Sequence, residues 1–153
     1  MLKIPKQLSV TISLVLTAAF FAVLAAAAVF LPSYIREWVI PASSRTIMAG
    51  DAVLILVSAY LAIAIAMLAD VLLFRLLTVV RAGEVFGEKS VALIRGVSWC
   101  AILIGIVFLV MVYYFLISFV LSFAAVLVGL CLRVVKNVIE EASEIKSEND
   151  LTV

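Results

Sequence analysis

Histidine is missing altogether from these 153 residues, cysteine occurs twice, proline three times and glycine six times. Without an imidazole the chain lacks the commonest general base and metal ligand. Cys100 and Cys131, with no histidine beside them, make a poor zinc site. Both are expected near the cytoplasmic ends of helices, where thiols stay reduced, and they read as small apolar packing residues. Glycine is too sparse to build a phosphate-cradling loop, and no serine nucleophile motif occurs. Asp51 and Asp70 fall on one expected helix. Nineteen residues of helical rise set them about 28 Å apart, so they cannot share a site as the paired carboxylates of an aspartyl protease do. Charge is scarce too, at 14% of residues against roughly 25% in a soluble domain. Eleven basic and ten acidic side chains leave a net charge of +1, so direct nucleic-acid binding is not expected. No catalytic, cofactor-binding or metal-binding residue is assigned, and the chain reads as non-enzymatic.

What is abundant is apolar: 67% of residues, with a mean hydropathy of +1.36. A soluble domain of about 150 residues buries only some 70% of the surface its unfolded chain exposes, so this much apolar surface needs lipid as its solvent. A helix crosses the ~30 Å hydrocarbon core with about 20 apolar residues. Leu8 to Leu31 is free of charge and closes at Pro32, and Ala52 to Phe74 carries only Asp70. Gly96 to Leu132 is also free of charge. As one helix that third run would be roughly 55 Å long, so it must fold into a hairpin, with Tyr113, Tyr114 and Phe115 at the bend because tyrosine favours the interface. The expected architecture is an all-α membrane protein with four transmembrane helices in one domain over 1–153. The spans are 8–31, 52–74, 91–113 and 116–136, followed by an amphipathic helical tail over 137–153.

The basic residues orient it. Lys3, Lys6, Arg75, Arg81, Lys89, Arg95, Arg133, Lys136 and Lys146 fall on one side and only Arg36 and Arg45 on the other. The positive-inside rule places the nine, and both termini, in the cytoplasm of a bacterial inner membrane. Lys3 and Lys6 ahead of an apolar run ending in Ala25–Ala28 also suggest a signal peptide, but the run is far longer than a 7–15-residue h-region.

In the outer loop, 32–50, Tyr34, Ile35, Trp38, Val39 and Ile40 surround Arg36 and Glu37. That mixture suits a segment lying in the interface, read as an aromatic anchor or, more sharply, as a lid or sensor. In the inner loop Leu76, Leu77, Val80 and Phe86 mix with Arg75, Arg81, Glu84, Glu88 and Lys89, punctuated by Gly83 and Gly87. Helix two is expected to run on to about Arg81 and helix three to start near Ser90. In the tail Val135, Val138, Ile139, Ala142 and Ile145 share helical spacing. Glu140, Glu141, Glu144, Glu148 and Asp150 stand against Lys146 there. Anionic lipid repels such a tail, and a protein surface is the expected partner.

A charge inside a span is functional until a partner is found. Ala59 or Ala62, then Ala66 and Asp70 share one face of helix two; Ser118, Ser122, Ala125, Gly129 and Arg133 share one of helix four. Small residues let helices approach closely in lipid. These stripes predict that helices two and four pack together, with Asp70 bonded to Arg133 or, as second choice, to Arg95.

The inner loop and the tail also resemble a known family. Gly83-Glu84-Val85-Phe86, Ser90, Ile94-Arg95-Gly96 and the closing Glu144-Ile145-Lys146-Ser147-Glu148-Asn149-Asp150-Leu151-Thr152-Val153 are similar to motifs of the bacterial four-helix membrane proteins called domain of unknown function 2975. Family members carry Pro before the Phe and Asn in the place of Ser90; their tail ends Glu-Asn-Asp-Leu-Thr-Ile/Val. The family has no established activity. Its genes often lie beside one for a small helix-turn-helix protein, and the resemblance therefore implies a regulatory or sequestering partner of a cytosolic transcriptional regulator. Gly83, Phe86, Arg95, Glu144, Glu148, Asn149, Asp150, Leu151 and Thr152 would form the docking face, with Phe86 as its apolar anchor. The rival reading is a small transporter or channel subunit, dimeric like the four-helix multidrug exporters, in which Asp70 would couple protons. A third is an accessory subunit of a larger complex. No cofactor is expected; the partners are the bilayer, the regulator and, in either main reading, a second copy of the chain.

Overall fold

A computed structural model describes residues 6–43, 47–83 and 87–151, with side chains for all of these except 6, 7, 49 and 146–151. Four helices account for nearly all of it: α1 (Lys6–Tyr34), α2 (Ala49–Arg81), α3 (Glu88–Met111) and α4 (Ile117–Leu151), and no strand occurs among the described residues. Each is long and apolar enough to cross a membrane. Leu, Ala, Ile and Val fill them, and where lipid supplies no hydrogen bonds a helix satisfies its own backbone. Large apolar side chains such as Val15, Val29, Phe30, Leu116 and Phe123 stand fully exposed. That belt is what an integral membrane protein presents to lipid.

The first apolar run does not end at Pro32. The α-helix passes through it to Tyr34 and opens into a π-helical turn, Ile35–Val39. A proline inside a helix has no N–H for the carbonyl four residues back, here that of Ala28. Tyr60 of α2 supplies the missing donor, its hydroxyl 3.2 Å from the Ala28 oxygen. The π-turn buries Ile35 and leaves Tyr34 and Trp38 exposed.

α2 ends at Arg81, followed by Gly83 at φ +88°. That left-handed conformation is open to glycine at little cost. The Ala82 and Gly83 amides reach back to the carbonyls of Thr78 and Val80 and close the helix end. α3 and α4 are joined by a turn over 112–116, at the expected tyrosines.

α1 packs on α2, α2 on α3 and α3 on α4; α4 has no comparable contact with α2. The expected packing of helices two and four is therefore not what the fold adopts, because α3 lies between them. A five-residue turn makes α3 and α4 antiparallel neighbours, and the small face of α4 is spent on α3. Ser98 donates to the Gly129 carbonyl at 2.7 Å, and Ser122 donates to the Gly105 carbonyl at the same distance. A Cβ on Gly105 would lie 2.6 Å from Val126 Cγ2 and 3.1 Å from the Ser122 oxygen; one on Gly129 would lie 2.7 Å from Ile102 Cγ1 and 3.1 Å from the Ser98 oxygen. The two halves match because the pattern Ser-x-x-Ala-x-Leu-x-Gly occurs on both helices, at 98–105 and 122–129. Run antiparallel, the two copies meet about a local two-fold axis, and each serine bonds the glycine carbonyl of the other.

At the end that carries the 40–48 and 112–116 connections, Ile35, Ile55, Met111 and Tyr114 form a buried apolar cluster. Asp51, in the first turn of α2, accepts the Met48 amide at 3.0 Å and the Tyr114 hydroxyl at 2.9 Å. One carboxylate thus caps a helix and ties two connections together. The Asp51 bond, followed by burial and the Asp51 and Tyr113 charges, raises the Tyr114 hydroxyl above its ordinary pKa. Cys100 is buried as expected, but Cys131 is exposed on α4 rather than packed.

Candidate functional site

Of the residues singled out for chemistry, Asp70, Arg95 and Arg133 end up apart. The Arg133 guanidinium lies 4.4 Å from the centre of the Trp99 ring, a cation–π contact between α4 and α3. Arg95 Nη2 stands 3.5 Å from Glu140 Oε1, and Lys136 pairs with the same carboxylate from one turn earlier on α4. Neither arginine is ion-paired with Asp70, which corrects the expected charge pair. With α3 between α2 and α4, each arginine finds its partner across the α3–α4 seam.

Two recesses flank these residues. The first is a groove of about 520 Å³ where the start of α3 meets the end of α4, lined by Gly87, Glu88, Val91, Ala92 and Arg95 on one side and Glu140, Ser143 and Glu144 on the other. α4 is 35 residues long, and a span needs about 20. α4 is thus roughly 15 residues, some 22 Å of helix, longer than a crossing requires. Ile139, Ala142 and Ser143 are partly covered, whereas Val134, Val138 and Ile145 stay exposed. Arg95 with Glu140 is solvent-exposed, where an ion pair adds little to stability. It lines the groove rather than locking the helices.

Of the expected docking residues, Arg95 and Glu144 line this groove. Gly83 instead closes α2, and its position follows from its backbone conformation. The helix extends through Glu148, Asn149, Asp150 and Leu151, whose side chains are not among those described, and Phe86 and Thr152 lie outside the described residues.

The second recess, about 460 Å³, lies between α1 and α2 and is lined by Thr17, Ala18, Phe21, Asp70, Val71, Phe74, Arg75 and Thr78. Asp70 and Thr17 are both buried. Among the described residues no three His, Cys, Asp or Glu side chains converge as a metal site would require.

A family described as "Protein of unknown function (DUF2975)" matches residues 2–153. The chain belongs to this family. It is also similar to the "Uncharacterized membrane protein YoaS" of Bacillus subtilis (strain 168), 30% identical over 93 residues. That match covers 52% of this chain and 58% of the relative, so the chain spans little more than half the relative's length. No solved structure matches. Neither DUF2975 nor this relative carries a catalytic description. In this DUF2975 member Ser90 is among the least exposed residues at 1% and lies in the first turn of α3, its amide bonded to the Gly87 carbonyl. Sequence reasoning missed the Ser98–Gly129 and Ser122–Gly105 contacts and the Tyr60 bond. The duplicated octad was the visible signal for the first pair, and the 28–32 spacing behind Pro32 for the second.

Proposed function

We propose that this membrane protein lies in a bacterial inner membrane with both termini in the cytoplasm and holds a cytosolic protein on the groove between α3 and the projecting end of α4. The observation that carries this reading is the length of α4 itself. It runs about 15 residues beyond what a crossing requires and packs one side against the start of α3, leaving Val138 and Ile145 open beside a groove edged by Arg95, Glu140 and Glu144. An apolar stripe flanked by charges suits recognition of a helix from a partner. The orientation rests on the concentration of Lys and Arg at this end. The family resemblance favours a small helix-turn-helix regulator as the occupant, which makes the protein a membrane tether controlling that regulator.

The test compares membranes from cells expressing the full chain with those expressing a chain that lacks 144–153 or carries Arg95→Glu, probing for a tagged helix-turn-helix protein. Both changes are expected to lower its membrane-bound fraction several-fold while the four helices still insert. Equal retention in all three would overturn the proposal.

A further inference from the structure

The α1–α2 recess has a chemical character that a tether does not use. Asp70 is 6% exposed and has no hydrogen bond or ion pair among the described residues. Among the described residues every sealed polar side-chain atom has a partner, so the Asp70 oxygens are not sealed but open on the recess they line. An ionised carboxylate in low dielectric is costly until a cation or strong donor meets it. The remaining lining says which kind. Thr17 donates its hydroxyl hydrogen to the Ser13 carbonyl at 2.8 Å, and Thr78 donates to the Arg75 carbonyl at 2.6 Å. Both hydroxyls therefore have only lone pairs left to offer. Phe21 and Phe74 add aromatic rings, whose faces attract cations. Arg75 is the cationic side chain on the recess, and among the described residues it makes no ion pair with Asp70. Three oxygen-bearing side chains amid apolar walls fall short of the six to eight oxygens a hard metal cation takes. They suit a group with several N–H donors and an apolar body, and the volume lies within the range of small-molecule sites.

We propose that the α1–α2 recess binds a lipophilic organic ammonium ion, with Asp70 as counter-ion, Thr17 and Thr78 as acceptors and Phe21 and Phe74 as walls. The ammonium belongs either to a free alkylamine or to an aminophospholipid head group. The full chain in maltoside micelles is dialysed against radiolabelled hexylammonium, with hexanol as neutral competitor. Saturable binding of one ion per chain is expected, and hexanol should not displace it. Asp70→Asn should weaken binding about tenfold or more, as loss of a charged hydrogen-bond partner does, whereas Asp70→Glu should retain it within a few-fold. Arg75→Gln, which leaves Asp70 in place, should tighten binding by removing the competing cation. This last variant keeps the test decisive should Asp70→Asn fail to fold. Adding phosphatidylethanolamine to the micelles separates the sources: displacement of hexylammonium identifies the lipid head group, and undisturbed binding a free amine. Non-saturable uptake, equal binding by Asp70→Asn, equal competition by hexanol, or weakening by Arg75→Gln would each overturn the proposal.

Discussion

Replacing Gly105 or Gly129 with alanine tests the central packing device directly. The added methyl on residue 105 would meet Val126 Cγ2 at 2.6 Å and the Ser122 carbonyl oxygen at 3.1 Å; on residue 129 it would meet Ile102 Cγ1 at 2.7 Å and the Ser98 oxygen at 3.1 Å. A side-chain tip can rotate away, but a backbone oxygen moves only if the helices part, and parting them lengthens the Ser98 and Ser122 hydrogen bonds. Overpacking of this kind costs about 1–3 kcal/mol, and alanine returns up to ~1 kcal/mol of helix propensity over glycine. The net expectation is a loss of about 0.5–2 kcal/mol per site. Seven residues separate the serine and glycine on each helix, roughly 10 Å of rise, but both losses come from parting the same two helices, so the double variant should lose less than their sum. Gly50 is the internal control: it sits in the first turn of α2 with nothing within 4 Å of a built Cβ, and Gly50→Ala should be neutral or mildly stabilising. Reversible unfolding of the maltoside-solubilised chain by added dodecyl sulfate reads the differences. Circular dichroism follows the helices, and in a Trp38→Phe background the fluorescence of Trp99, whose ring carries the Arg133 guanidinium of α4, follows the hairpin. If Gly105→Ala and Gly129→Ala unfold no more readily than Gly50→Ala, the glycines do not set the α3–α4 distance and the reasoning fails.

Other consequences can be checked in the same system. Tyr60→Phe removes the donor that serves the Ala28 carbonyl and should cost about 0.5–1.5 kcal/mol. In a Pro32→Ala background, where the helix regains its own N–H, the same change should cost clearly less, and a double-mutant unfolding cycle measures the difference. The Tyr114 hydroxyl is raised above its usual pKa by its bond to Asp51, so the fold favours the neutral phenol. The contribution is complete below the unfolded value near 10 and is lost as pH rises through the higher folded value. The melting temperature should therefore fall more steeply with alkaline pH in the native chain than in Tyr114→Phe; parallel pH profiles would refute this.

Much of the architecture could be read from the residues. The four apolar spans, the hairpin bend at Tyr113–Phe115 and the end of α2 at Arg81 all depend on properties of a single segment: its length in lipid, its charge, and the turn residues at its border. Pro32 misled because its effect depends on another helix. Alone, it would leave the Ala28 carbonyl without a donor and argue for a stop, but Tyr60 supplies that donor and α1 continues into the π-turn. Asp70 misled for a related reason. Periodicity shows that Ala62, Ala66 and Asp70 share a face, and that Ser118, Ser122, Gly129 and Arg133 share another, but it carries no information on which helix each face meets.

The sequence by itself determined that this chain dissolves in lipid as four helices, because burial in a bilayer is set segment by segment. Only the tertiary structure decided the partners. Ser98 and Ser122 bond Gly129 and Gly105 across the α3–α4 seam, Arg133 rests on Trp99, Arg95 meets Glu140, and Asp70 is left facing the recess beside α1. Those choices follow from how closely two helices approach, which depends on where a glycine on one meets a backbone carbonyl on the other, and that is a property of the pair.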